Sequence, residues 1–444
     1  MFMRNESSMR GAPTAELPES EAAPKRSSHA PALITRMRFQ YPLGLALCLL
    51  APLVAQVLLL ETPSAPNVVN TAIGVMAAVT IGYYAFRRIA AYPTLWPPAA
   101  SVTPVFSISF LLIVAWFFLL RIEYSRFQFV FGYVLVVAWF MGLSLATSRL
   151  SRPRFALVPL GDAPTIRGLA KADWLEFEAP GPLPQGVSGV VVDTKADFGA
   201  GWEACLAASA LAGTPIYDFR AVREAMTGRL EVLSFADNVL AAHDPNGAYL
   251  AFKRFVDFVT AFVALVLLSP LLLAVGVLVR RDSPGPALFR QTRVKRGGET
   301  FTVYKFRTMT EGSADPTRVE DAITRPGDQR ITHLGHFLRR SRIDELPQIY
   351  NVLIGDMSWI GPRPEALPLV AWYRQQLPMY AYRHIVPPGI TGWAQVYQGH
   401  VTDPSDVLEK LHYDFYYIKH FSLWLDLLIV FRTLHVVWTG FGAR

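Results

Sequence analysis

The sequence predicts three kinds of fold in one chain. They are a bundle of four membrane-spanning helices, a small Rossmann-like α/β layer, and an α/β-mixed region held to the membrane by a re-entrant helical hairpin. Three observations carry this. The 444 residues are 52% hydrophobic and only 17% charged, with a mean hydropathy of +0.28, whereas soluble domains carry roughly a quarter charged residues. Four long uncharged runs lie between residues 41 and 148. A fifth, 258–279, is bounded by basic pairs and interrupted midway by Ser269-Pro270. A single soluble globule and a disordered or fibrous chain are excluded.

Residues 1–38 are rich in Ser, Pro, Ala, Glu and Arg without apolar periodicity, as expected of a disordered cytoplasmic tail. The transmembrane domain is expected over 39–150, with spans at 41–60, 62–86, 101–120 and 127–148, each long enough for a hydrocarbon core of about 30 Å. Arg36 and Arg38, Arg87 and Arg88, and Arg149, Arg152 and Arg154 flank one side, while the 61–67 loop carries only Glu61. The positive-inside rule then places the N-terminus and everything after Arg149 in the cytoplasm. Arg121 and Arg126 oppose that orientation. The two cysteines, Cys48 and Cys205, form neither a disulfide framework nor a zinc cluster.

Residues 154–245 change character. Short apolar strands at 155–160, 188–192 and 215–218 alternate with helical patterns at 202–211 and 221–227, which predicts a small α/β layer. The turn Gly161-Asp162-Ala163-Pro164 lacks a GxGxxG fingerprint, so a regulatory or assembly role is expected here and no nucleotide site is inferred.

The fifth apolar run is flanked by Lys253 and Arg254 on one side and Arg280 and Arg281 on the other, with Asp257 at its start. Proline removes a helical hydrogen bond, and serine can satisfy part of the freed backbone. Halves of about 11 residues, roughly 16 Å each, are too short to cross alone. Equal charge at both ends suits a hairpin over 253–281 whose ends both return to the cytoplasm. The alternative is a kinked span that would put the rest of the chain outside. The final apolar stretch, 421–440, contains Asp426, Arg432 and His435 and reads as an interfacial or packed helix.

Chemistry concentrates after Lys253, where six of the seven net positive charges lie. With this hydrophobicity, the charge and a pI near 9.3 point to anionic lipid or phosphorylated substrates and not to nucleic acid. Gln291–Gly298 is a basic turn, and the run from Phe301 to Met309 alternates as a strand would, projecting Lys305 and Arg307 together. That pair either grips phosphates or lines a solvated face. Arg339, Arg340 and Arg342 precede the adjacent carboxylates Asp344 and Glu345. Helical neighbours lie about 100° apart, so the two would not share a proton. One carboxylate could attack phosphorus and the other help hold Mg²⁺; alternatively, both simply pair with the arginines. Arg363, between Pro362 and Pro364, sits on a stiff loop suited to bidentate phosphate recognition. A second rigid turn, Pro387-Pro388-Gly389-Ile390-Thr391-Gly392, follows Arg383.

Together these motifs resemble the bacterial sugar transferase family, the monotopic polyprenol-phosphate hexose-1-phosphate transferases that start exopolysaccharide, capsule and O-antigen assembly. The resemblance covers 250–444 and rests on Lys253-Arg254 with Asp257, Ser269-Pro270, Lys305-Phe306-Arg307-Thr308-Met309, Asp344-Glu345-Leu346-Pro347-Gln348 and Asn351. It extends to Gly361-Pro362-Arg363-Pro364, Pro388-Gly389-Ile390-Thr391-Gly392, and Tyr413-Asp414 with Tyr417. Lys295 departs from the usual glycine in a surface turn. The four spans and the α/β layer ahead of this segment resemble the large members.

The resemblance implies that UDP-sugar and undecaprenyl phosphate give undecaprenyl-diphospho-sugar and UMP. Asp344 would be the nucleophile and, with Glu345, would hold Mg²⁺. Lys305, Arg307, Arg363, Arg339 and Arg340 would counter the phosphates. Glucose is the first expected hexose and galactose the second. The expected location is the bacterial inner membrane, with the catalytic domain cytoplasmic. Membrane lipid, a second copy of the chain and polysaccharide-assembly proteins are the further expected partners. Two rivals are a glycosyltransferase that releases UDP and a scaffold with an inactive catalytic unit.

Overall fold

The computed structural model describes residues 37–59, 65–90, 99–150, 153–169, 172–231, 246–310, 328, 330–398 and 404–439. All but the last two residues of the expected tail lie outside these. Met37 and Arg38 already belong to the first helix.

Four apolar helices open the chain: α1 (Met37–Leu59), α2 (Ala65–Ala90), α3 (Ala99–Leu119) and α4 (Arg126–Leu150). α2 packs on α3, α1 on α4, and α3 on α4. Their shared core includes Ala78, Val79, Phe106, Val136 and Phe140. Close packing depends on small residues, as in other membrane bundles: a Cβ at Gly74 would lie 2.3 Å from the Phe117 ring, and one at Gly82 2.5 Å from Phe106. Together with the helix over 247–282, five described helices are long and apolar enough to cross a membrane. This is a membrane protein.

The middle region is a four-stranded parallel sheet in the order β2-β1-β3-β4. Its strands are β1 (Arg154–Leu157), β2 (Asp173–Glu176), β3 (Gly189–Val192) and β4 (Ile216–Asp218), accompanied by α5 (Gly199–Leu211) and α6 (Phe219–Thr227). β3 is wholly buried, as expected of a central parallel strand. The sequence reading missed β2, because Asp-Trp-Leu-Glu is an edge strand of half-buried, partly acidic residues. β1 is shorter than expected because Pro159 has no N–H for the ladder. Residues 232–245 of the expected domain lie outside the described residues.

α7 (Gly247–Asp282) runs 36 residues without interruption. The expected division into two half-helices at Ser269-Pro270 is therefore not seen. Pro270 cannot donate to the Val266 carbonyl four residues back, and the Ser269 hydroxyl donates to that carbonyl instead at 2.8 Å. Serine repairs the one bond that proline removes, so the ladder continues.

The remaining elements form the body on which α7 lies. β5 (Leu288–Val294) and β6 (Thr300–Phe306) make an antiparallel hairpin. α8 (His333–Arg340), α9 (Gln348–Ile354), β7 (Ser358–Ile360), α10 (Leu367–Gln376), β8 (Gly389–Thr391), α11 (Trp393–Tyr397), α12 (Pro404–Lys419) and α13 (Leu423–Thr439) follow. The first half of α7 contributes Ala261 to a cluster with Phe301, Val303, Ile349 and Val352. The second half contributes Val275 and Val279 to another, with Phe306 and Leu338. α13, the expected packed helix, lies against α2 and α3, with Trp424 edge-on to Tyr84.

Candidate active site

The site is built where α8 ends. Ser341 and Arg342 turn the chain, and Arg342 takes the left-handed conformation (φ 59°, ψ 15°). A single 3₁₀ turn, Ile343–Glu345, follows before α9 begins. Asp344 and Glu345 are both buried, each 8% exposed. They enter different surroundings, as the 100° argument requires.

Glu345 faces β6 and the Arg363 loop. Lys305 Nζ donates to its Oε1 at 2.8 Å, and Arg363 donates to both of its oxygens, reaching Oε2 at 3.3 Å. Burial alone would raise the Glu345 pKa; the Arg363 and Lys305 charges overcome that and hold it well below the usual carboxylate range. Burial in turn pulls Lys305 down to about 8 against the attraction of Glu345, with the Arg363 charge pushing the same way.

Asp344 behaves oppositely. Burial and the Glu345 charge raise its pKa, while Lys305, Arg339 and Arg342 pull it back. Its buried Oδ1 meets no hydrogen-bond donor among the described residues.

The expected phosphate ligands divide accordingly. Lys305 and Arg363 meet at Glu345. Arg307 does not join them: β6 ends at Phe306, and the Arg307 guanidinium donates to the carbonyls of Ser283 (2.6 Å) and Pro284 (2.7 Å), fastening the end of α7. Arg339 donates to the Thr308 hydroxyl at 2.9 Å beside Asp344, and Arg340 is exposed. The hairpin residues Lys253, Arg254 and Asp257 likewise anchor α7. Lys253 pairs with buried Asp426 at 2.6 Å, and Arg254 donates to the Val352 and Leu353 carbonyls at the end of α9. Asp257 accepts from the Ser358 hydroxyl and the Trp359 N–H.

The two proline-glycine turns are interlocked. Gly361 N–H donates to the Thr391 carbonyl, and Gly389 N–H to that of Pro362. A Cβ at Gly361 would sit 2.3 Å from the Pro387 carbonyl oxygen, and one at Gly392 2.2 Å from that of Gly361. Only glycine allows backbones this close.

Three supports carry no assigned role in the sequence reading. Arg383 donates to the Arg363 carbonyl (2.8 Å) and pairs with buried Asp414 (2.9 Å), Arg293 donates to the Pro364 carbonyl, and fully buried Asn351 pins β6 through Thr302 O and Tyr304 N. Arg293 lies in the basic run 291–298, and Arg383 and Asn351 are polar side chains among apolar neighbours.

Within this site, the group that suits Mg²⁺ is the Asp344 carboxylate, whose Oδ1 is unused and buried. Glu345, the second expected metal ligand, holds Lys305 and Arg363 with its two oxygens. No cluster of three His, Cys, Asp or Glu residues exists among the described residues. Such a site fits a Mg²⁺ ion that takes one protein carboxylate and completes its shell with phosphate oxygens and water.

Fold and site define a membrane-anchored enzyme architecture with a buried acidic pair ringed by cations. The bacterial sugar transferase family matches residues 248–440. The UDP-N-acetylgalactosamine-undecaprenyl-phosphate N-acetylgalactosaminephosphotransferase of Aeromonas hydrophila is 40% identical over 377 residues, covering 85% of this chain and 88% of its own. The UDP-glucose:undecaprenyl-phosphate glucose-1-phosphate transferase of Escherichia coli K12 is 44% identical over 192 residues, 43% of this chain and 40% of its own. The exopolysaccharide production protein PSS of Rhizobium leguminosarum bv. phaseoli is 41% identical over 190 residues, 42% of this chain and 94% of its own. The chain belongs to the bacterial sugar transferase family, the polyprenyl-phosphate hexose-1-phosphate transferases.

Proposed function

We propose that the protein transfers a sugar 1-phosphate from a UDP-sugar to undecaprenyl phosphate and releases UMP at the cytoplasmic face of a bacterial inner membrane. The observation that carries this is Asp344: a buried carboxylate with an unused oxygen, among cations, in a family of this chemistry. An Asp344 oxygen attacks the sugar-linked phosphorus; the bond to the bridging oxygen breaks, and UMP leaves with that oxygen. A phosphate oxygen of the lipid then attacks the same phosphorus, the Asp344–phosphorus bond breaks, and the carboxylate is regenerated. Mg²⁺, held by Asp344 and diphosphate oxygens, would offset the diphosphate charge. Glu345 keeps Lys305 and Arg363 at the wall of the site, where their positive charge exceeds its own negative one and favours charge moving between phosphate oxygens.

The sugar we propose is N-acetylgalactosamine, because the Aeromonas relative matches this chain through the spans and middle domain as well as the catalytic segment. Glucose, the first expectation from sequence, is the second reading. Its support is the 44% identity of the E. coli glucose enzyme over 192 residues.

In this reading both ends of α7 stay on the cytoplasmic side of the membrane. Its start is tied to α9 and α13, its end to the β5–β6 hairpin, and both belong to one body. The site then lies at the headgroup plane, within reach of a lipid phosphate.

The test is nucleotide release by purified protein given Mg²⁺, undecaprenyl phosphate and UDP-N-acetylgalactosamine or UDP-glucose. UMP released over many turnovers only with the lipid acceptor supports phosphosugar transfer, and the better donor names the sugar; UDP release overturns it. Asp344→Asn should reduce turnover on the order of 10³-fold or more while still inserting into the membrane, since an amide cannot replace the attacking oxygen.

A further inference from the structure

Positions 343–354 wind as one helical course. Leu346 and Pro347, between the acidic turn and α9, keep right-handed helical backbone (φ −57°, ψ −34° and φ −60°, ψ −17°). The N–H groups of Leu346, Ile349 and Tyr350 each donate to the carbonyl three residues back. Residues three apart therefore share a side, and Glu345, Gln348 and Asn351 form such a row. Its two outer members face β6. Glu345 accepts from Lys305, while Asn351 accepts from the Tyr304 N–H and donates to the Thr302 carbonyl. Gln348 lies between them, one turn after the acidic pair.

The two amides of that row are used differently. Asn351 spends both ends of its amide within the fold. Gln348 is almost as deeply placed, 3% exposed, yet its buried Nε2 donates to no acceptor among the described residues. A buried donor left unserved costs free energy that a methionine of similar length would avoid. The Asp344 Oδ1, one turn earlier, is buried and unserved as well. Over 343–354 these are the two buried side-chain polar atoms without a partner, and they do not serve each other. One turn thus holds a carboxylate oxygen able to attack phosphorus and a neutral donor able to take a phosphoryl oxygen.

We propose that Gln348 is a catalytic residue whose side-chain N–H donates to a non-bridging oxygen of the phosphoryl group that Asp344 attacks. The proposal rests on the reading of Asp344 as the attacking group. The Asp344–phosphorus bond forms and the bond to the UMP oxygen breaks while the amide keeps both its protons and fixes the oxygen it serves. A donor placed in advance is worth most while charge shifts among the phosphoryl oxygens, so Gln348 acts on kcat more than on KM.

The experiment uses full-length protein, Mg²⁺, undecaprenyl phosphate and UDP-N-acetylgalactosamine, and reads UMP release together with the thermal midpoint. Gln348→Met keeps the length of the side chain and removes the donor. It should lower kcat about tenfold or more with KM nearly preserved. The thermal midpoint should hold or rise, because an unserved buried donor has been removed. Activity lost while stability is kept is the signature that a merely structural amide would not give. Unchanged kcat in Gln348→Met overturns the proposal. So does a kcat loss accompanied by a lowered midpoint, which would make Gln348 a packing residue. Asp344→Asn, measured alongside, separates the two ideas. An inactive Asp344→Asn beside a fully active Gln348→Met sinks the role of Gln348 alone, whereas full turnover by Asp344→Asn sinks the reading beneath it.

Discussion

At the scale of single residues, adjacent carboxylates in one turn have opposite fates, and pH should expose them. Glu345 is kept ionised by two cations, while burial raises Asp344 above the ordinary value of 3.8. Attack needs the Asp344 carboxylate, so kcat/KM should fall on the acid side at a higher pH than an ordinary aspartate would give. Lys305, drawn down to about 8, should set an alkaline limb: above that pH it loses its proton, and Glu345 keeps Arg363 alone. Lys305→Arg should remove that limb, because arginine stays charged; a profile unchanged by the substitution would refute the assignment. The pair itself was legible in the sequence, since adjacency forbids a shared proton. The identity of its partners was not. Lys305 and Arg363 are 40 and 18 residues from Glu345, and an arginine's choice between a phosphate, a carboxylate and a helix end depends on tertiary geometry. Arg307, placed by alternation beside Lys305, fastens α7 because its strand ends one residue earlier.

Elements were legible where periodicity and length decide. The four helices lie within a few residues of the uncharged runs, and three of the four parallel strands fall where short apolar runs stood. α7 shows the limit of that approach. Proline predicted a break, yet Ser269 supplies the donor that Pro270 lacks. The two residues should therefore be coupled. Ser269→Ala should cost about 1 kcal/mol, leaving the Val266 carbonyl unserved. In a Pro270→Ala background the same change should cost almost nothing, because an alanine there supplies its own N–H. Denaturation midpoints of the four proteins measure this coupling; additive losses would show that the hydroxyl does not replace the missing bond. An α7 with both ends on the cytoplasmic side makes a further prediction. Cysteines placed at exposed positions 248 and 282 should both be labelled from the cytoplasmic side, whereas labelling from opposite sides would make α7 a span.

At the scale of the molecule, the middle domain is docked onto the catalytic body, which composition alone could not show. Buried Glu224 accepts from Lys419 and from His420, each at 2.7 Å. The Trp393 indole donates to the Gly228 carbonyl at 2.8 Å, and the Leu230 N–H to that of His412 at 2.9 Å. Trp393 follows Gly392, which lies against Gly361 and hence the Arg363 loop, so this docking braces the rear of the site. The Rhizobium relative matches only 42% of this chain yet 94% of its own length. Docking is therefore expected to act on stability more than on chemistry. Glu224→Ala removes one carboxylate from a lysine and a histidine that remain partly exposed, so the loss should be about 1–2 kcal/mol. That corresponds to a fall of roughly 2–8 °C in thermal midpoint, with the KM for UDP-sugar unchanged. The same contact has a defined pH dependence. Burial would raise the Glu224 pKa, but His420 and Lys419 bring it below 4.5. Its contribution is therefore complete above that value and is lost as pH falls through the lowered one. Wild type and Glu224→Ala should converge in stability under acid and diverge near neutrality. A constant gap across that range, or a changed KM, would mean that Glu224 serves the site and not the docking.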